Sequence, residues 1–180
     1  MDEWPVQCFK AYDIRGLANG DGTGELTPHF AYRLGRAMAT YLDCSTFAVG
    51  RDIRHSSPAL ADELMRGLVD GGVIVSDLGI VSTGCVYHAC WTLPVDGGVM
   101  VTASHLAMPT HNGFKMCRGT LPLAGEEIQE LKDVFLEDTF KEGTGQIIDT
   151  PHLETYLDAI IESTCPLARS VKVAVDCGNA

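Results

Sequence analysis

The sequence predicts an α/β fold, a three-layer αβα sandwich around a mixed, mostly parallel β-sheet. Three observations carry this. Short apolar runs of strand length alternate with stripes of helical period along the chain. Serine or threonine caps, twice followed by proline, mark helix starts after the loops. The 180 residues, 46% hydrophobic and 21% charged, suffice for a domain with its own core.

Taken in order, Thr27-Pro28 opens the first helix, and Phe30, Leu34, Ala37, Met38 and Tyr41 recur at helical spacing. TFAVGRD (46–52) reads as a buried strand running into a polar end. Ser57-Pro58 repeats the cap signal. Leu60, Leu64, Met65 and Leu68 form that helix's stripe, and Gly71-Gly72 closes it. VIVSDLG (73–79) is the next strand, with a shorter helix after Ser82-Thr83. GGVMVTAS (97–104) is a further apolar strand, and NGFKMC (112–117) a short one that pairs nearby. A helix is expected over 125–136, with Ile128, Leu131, Val134 and Phe135 inward. GQIIDT (145–150) reads as a strand, and 151–164 as a helix with Leu153, Tyr156, Leu157 and Ile160 on one face. VKVAVDCGN (171–179) reads as one more strand. The expected division is a domain over 1–150 and a linker helix plus opening strand of a second domain over 151–180. A strand that stops at DCGNA reads as the front part of a longer chain.

Composition narrows the partners. A net charge of −11 argues against nucleic acid, whose phosphates need basic surface. A few cations in one pocket can still bind a small phosphorylated ligand. No apolar run reaches membrane-spanning length. The seven cysteines form no C-x-x-C pair, which removes the zinc signature. An odd number without a signal peptide reads as reduced thiols in a cytoplasmic protein, most of them in the core. NGDGTGE (19–25) lacks the spacing of a P-loop or calcium loop and reads as a turn.

Ligands of parallel α/β sheets sit beyond the carboxyl ends of the strands. Arg51-Asp52, Asp77 and Ser104-His105 fall there. Ser104 is either a nucleophile or a loop cap, and caps are the commoner use of serine. His105 is either a base or a positioning histidine. FKAYDIRG (9–16) gathers Lys10, Tyr12, Asp13 and Arg15. Arg15 offers a phosphate-shaped fork, or a surface ion pair with Asp13. GRDIRHSS (50–57) places Arg51 and Arg54 at a helix start, which suits an anion or merely caps the helix. A serine hydrolase is disfavoured, because Ser104 is not in a G-x-S-x-G elbow.

Together FKAYDIRG (9–16), GRDIRHSS (50–57), VTASH (101–105), NGFK (112–115) and VAVDCGNA (173–180) resemble the phosphohexomutase superfamily, in its phosphomannomutase/phosphoglucomutase branch. They occur in the family's order and spacing and cover almost the whole chain. The resemblance implies that Ser104 carries a phosphoryl group. That group passes to a hexose 1- or 6-phosphate, and a hexose 1,6-bisphosphate forms, reorients and returns its other phosphate. It implies Mg2+ bound through the serine's phosphate, with hexose 1,6-bisphosphate as activator. Lys115 matches the family lysine that assists proton transfer or screens charge. His105 matches the histidine after the serine. Tyr12, Arg15 and Arg51 match substrate- or phosphate-binding positions.

Two departures stand out. The family usually reads S-H-N-P-x-x-Y-N-G; here Leu106-Ala107 replace Asn-Pro, and the stretch to Asn112 is one residue longer. Lower activity follows if the loop is displaced, since small misplacement costs rate steeply. The family also has four domains, and its D-G-D-x-D-R metal loop, sugar-selecting loop and phosphate-binding loop lie outside these residues. The expected function is therefore that of the first domain of a hexose-phosphate mutase, inactive alone and completed by the missing domains. The alternative is a non-catalytic mutase-like module that binds sugar phosphate or a partner protein. Self-association through 151–164 and 171–177 is expected in either case.

Overall fold

The computed structural model describes residues 4–166 and 168–176. Seven strands are β1 (Ile14–Leu17), β2 (Thr46–Arg51), β3 (Ile74–Ile80), β4 (Gly97–Val101), β5 (His111–Arg118), β6 (Leu121–Pro122) and β7 (Gln146–Asp149). Five helices are α1 (Pro28–Leu42), α2 (Ser57–Asp70), α3 (Thr83–Thr92), α4 (Glu126–Glu137) and α5 (Leu153–Ser163). The sheet order is β1-β5-β4-β2-β3-β7, with β6 on β5. β2 pairs in parallel with both β3 and β4, and β3 with β7. β5 alone runs against the rest, antiparallel to β1, β4 and β6. The sheet is thus mixed and mostly parallel.

Alternation along the central strands builds the layers. Phe47, Val49, Val99, Val101, Phe114 and Met116 face a core shared with α1, α2 and α4. Ala48, Met100 and Cys117 face the opposite layer, formed with α3. Successive strand side chains point to opposite faces, so one strand serves both cores. Phe30 sits in the larger core with its ring centre 4.9 Å from that of Phe135. Thr27 caps α1 by accepting the Phe30 N–H, and Ser82 caps α3 by accepting that of Cys85. Five cysteines are buried and free. Burial pushes the thiols of Cys8 and Cys44 up, to about 12 and about 11, which keeps them protonated and inert.

Three expectations change. FKAYDIRG ends in a strand, β1, which its crowded polar residues concealed. The strand expected over 97–104 stops at Val101; Thr102 N–H still donates in register to the carbonyl of Gly113, and the chain then curls into a loop. The strand expected over 171–179 is absent from 171–176, where no ladder partner supports it; Cys177 to Asn179 lie outside the described residues. α5 forms as expected, yet none of its residues is buried. Leu153, Leu157, Ile160 and Ile161 are exposed.

α5 is tied to α3 by two imidazoles. His88 Nδ1 and His152 Nε2 lie 2.9 Å apart, and Thr92 Oγ1 is 3.2 Å from the same His152 nitrogen. One ring must donate and the other accept, so the bond needs neutral imidazole. Burial, and then the neighbouring His88, hold His152 below the usual imidazole value of 6.5. The unfolded chain therefore binds this proton first. The contribution is present above pH 6.5 and falls away as pH drops through the lower folded value. Hydrogen exchange of α5 amides is expected to accelerate across that window in the wild type. Replacing His152 with glutamine is expected to flatten the pH dependence.

Candidate functional site

The loop after β4 carries the centre of the site. Thr102 and Ala103 stay buried, and Ser104 emerges exposed. Its backbone lies in the left-handed region, φ 58°, where a side chain is costly. The Ser104 N–H donates to Thr102 Oγ1 at 3.1 Å. Ser104 and His105 border a cavity of about 640 Å3 that also touches Asp52, Ile53, Ser82 and Thr83. The start of α3, at Ser82 and Thr83, borders it, and helix N-termini favour negative charge.

A second cavity of about 430 Å3 adjoins this one. Lys10, Tyr12, Asp13, Arg15 and Glu25 line it, and Leu106 lines both. The β1/β5 register sets Ile14 opposite Phe114, which brings Asp13 and Arg15 beside Lys115. Asp13 is buried, 1% exposed, and Oδ2 accepts from both Arg15 Nε and Lys115 Nζ, the latter at 3.1 Å. The same two cations lie over the exposed Tyr12 ring, Lys115 Nζ at 5.7 Å and Arg15 Cζ at 6.0 Å from its centre. The Asp13–Arg15 pair is therefore not a surface ion pair but the floor of a cationic cluster.

The expected residues thus divide. Tyr12, Arg15 and Lys115 come together, while Ser104 and His105 occupy the adjoining cavity. Arg51, at the end of β2, lines neither, and its Nη1 lies 3.4 Å from the Asp52 carbonyl. His111 is half-buried, with Nδ1 3.0 Å from Thr110 Oγ1. Arg54 borders the larger cavity but is not an exposed charge at a helix start. It is buried and donates to four backbone carbonyls of the serine loop. The sequence reading missed Asp13 as a shared counter-ion, and the only hint was its place between Tyr12 and Arg15.

Magnesium would find few ligands here. Among the described residues no group of three or more His, Cys, Asp or Glu side chains could hold a metal ion. Protein ligands for a hard cation are mainly carboxylates and carbonyls. The described residues therefore do not make a magnesium site by themselves.

Residues 6–142 match the family model described as phosphoglucomutase/phosphomannomutase, alpha/beta/alpha domain I. A phosphomannomutase/phosphoglucomutase of Pseudomonas aeruginosa is 41% identical over 180 residues, covering 97% of this chain and 37% of its own length. A Neisseria gonorrhoeae phosphoglucomutase is 39% identical, with 95% and 37% covered. A crystal structure of a phosphoglucomutase/phosphomannomutase family protein from Burkholderia thailandensis superposes with a TM-score of 0.82 at 31% identity, covering 89% of this chain and 36% of that one. The chain thus spans little more than a third of the length of these relatives. Among the described residues no helix is long and apolar enough to cross a membrane.

Proposed function

The chain belongs to the phosphoglucomutase/phosphomannomutase family, and from that premise we propose that Ser104 is its phosphoryl carrier in hexose-phosphate interconversion. The observation that carries this reading is the exposed serine at the carboxyl end of β4, held in left-handed backbone beside a cavity. In the forward step the bond between phosphorus and Ser104 Oγ breaks. A new bond forms to the free O1 or O6 of a hexose phosphate; that hydroxyl loses its proton and the departing Ser104 Oγ gains one, so the serine leaves as a neutral hydroxyl. The product is a hexose 1,6-bisphosphate. After it turns over, its other phosphoryl group returns to Ser104 Oγ.

Lys115 supports this step with a cationic head fixed by Asp13, which suits charge screening near the moving phosphoryl group. His105 borders the same cavity as Ser104. Tyr12 and Arg15 line the adjoining cavity, where a phosphate or sugar hydroxyl would meet a planar fork and an aromatic face. Arg51 is the weakest member of the proposed set: like Lys115 it lines neither cavity, and it has no place in the cluster around Asp13 and Tyr12. Magnesium, hexose 1,6-bisphosphate as activator, and a cytoplasmic location belong to the same reading. Magnesium ligands beyond the serine's phosphate would have to come from outside the described residues.

The test is peptide mapping of the chain purified from cells that make it, together with a coupled assay on glucose 1-phosphate. A phosphoryl group on Ser104 and no turnover by the 180 residues alone are expected. An unphosphorylated Ser104 would favour a non-catalytic module, a reading that the altered loop at Leu106-Ala107 supports. Self-association is proposed through the exposed apolar face of α5 and through 171–176. Sedimentation at high concentration is expected to give a mass above one chain, and a monomer throughout would count against it.

A further inference from the structure

Arg54 spends its guanidinium on the serine loop. Nη2 donates to the carbonyls of Ser104 and Leu106, both at 2.9 Å. Nη1 donates to those of Ala107 at 3.2 Å and His111 at 3.1 Å. Nε donates to Asp52 Oδ2 at 2.9 Å. The other Asp52 oxygen accepts the Arg54 N–H at 3.0 Å and the Ser57 hydroxyl. Asn112 closes the far end of the loop, donating to Ser56 Oγ and Ser57 Oγ at 2.9 Å each. The segment around the start of α2 thus grips both ends of a loop 50 residues away.

This arrangement bears on chemistry in two ways. All three guanidinium nitrogens are engaged and the residue is 5% exposed, so little remains to take a phosphate oxygen. The Ser104 carbonyl is one of the four held, which fixes the peptide next to its left-handed backbone. Such backbone persists only where the surroundings impose it.

We propose that Arg54 is a positioning residue for Ser104: it holds the loop 104–111 and the serine's backbone in one conformation, and it does not bind phosphate. The proposal rests on the reading of Ser104 as phosphoryl carrier and names what sets its geometry. Lysine keeps the charge but not the planar fork, so charge alone does not replace this residue.

The experiment is nuclear magnetic resonance on the full 180-residue chain. In the wild type the Arg54 side chain is expected to show distinct, slowly exchanging Nη protons that do not move when inorganic phosphate is added. Averaged Nη signals, or a shift with phosphate, would overturn the proposal. In Arg54→Lys, amide shifts at residues 102–112 as well as around the substitution at 52–57, with loss of exchange protection in the loop, are expected, and an unchanged loop would overturn it. If the variant fails to fold, the wild-type side-chain signals decide. Neither readout needs phosphoryl transfer. A Ser104 that never carries phosphate while Arg54 holds its loop therefore defeats the functional reading and leaves this one standing.

Discussion

Replacing Ser104 with glycine is expected to remove the phosphoryl group from the protein while leaving the fold equally or more stable. The hydroxyl is the only atom on this loop proposed to bond to phosphorus, so no neighbour can take over and the loss is complete. Stability responds to a different property of the same residue. Ser104 lies at φ 58°, where a Cβ costs about 1–2 kcal/mol that glycine does not incur. Glycine in turn loses roughly 0.5–1 kcal/mol more entropy on folding. The balance is near zero or favourable. Mapping of phosphopeptides reads the first effect and thermal denaturation the second. Ser104→Ala separates them, since it removes the hydroxyl and keeps the Cβ. Phosphate retained by either variant, or a marked fall in stability of the glycine variant, would count against the assignment.

Replacing Gly67 with alanine is expected to produce the opposite pattern, a large loss of stability with no direct change at the site. In an ordinary helix interior this change stabilises by up to about 1 kcal/mol. Here α1 and α2 cross with their backbones in contact. A Cβ on Gly67 would stand 2.1 Å from the Tyr32 carbonyl oxygen, and one on Gly35 would stand 2.3 Å from that of Leu64. Both obstacles are main-chain atoms that cannot swing aside. The helices must separate, which loosens packing around Leu34, Leu64 and Leu68, all fully buried. Overpacking of this kind costs about 1–3 kcal/mol, and lost contacts add to it. A fall in midpoint of roughly 5–10 °C is expected for a domain of this size. Thermal unfolding followed by circular dichroism measures it, and an unchanged midpoint would refute the close crossing.

Much of the fold was legible because its signals are local. A threonine cap before proline and a stripe of Phe30, Leu34, Ala37 and Met38 specify α1 within a dozen residues. Strand-length apolar runs specify β2, β3 and β4 in the same way. β1 was not legible, since its four residues, Ile14–Leu17, include an arginine and a glycine and gain strand geometry only by pairing with β5. α5 was legible as a helix but not as one whose apolar face lacks cover, because a periodic stripe records what a helix offers and not what receives it.

The site divides along the same line. By itself the sequence determined the residue types and their order: a serine beyond an apolar strand, a cluster around Tyr12 and Arg15, and a lysine eleven residues after the serine. Only the tertiary structure decided which of these meet. The reversal of β5 carries Lys115 to Asp13. Leu106 borders both cavities. Arg54 gives its guanidinium to four carbonyls of a loop 50 residues later. A guanidinium has the same charge and donors in either setting, and its local sequence is that of a capped helix start. Its partner is set by which distant groups folding leaves unpaired and within reach, because a buried carbonyl must find a donor.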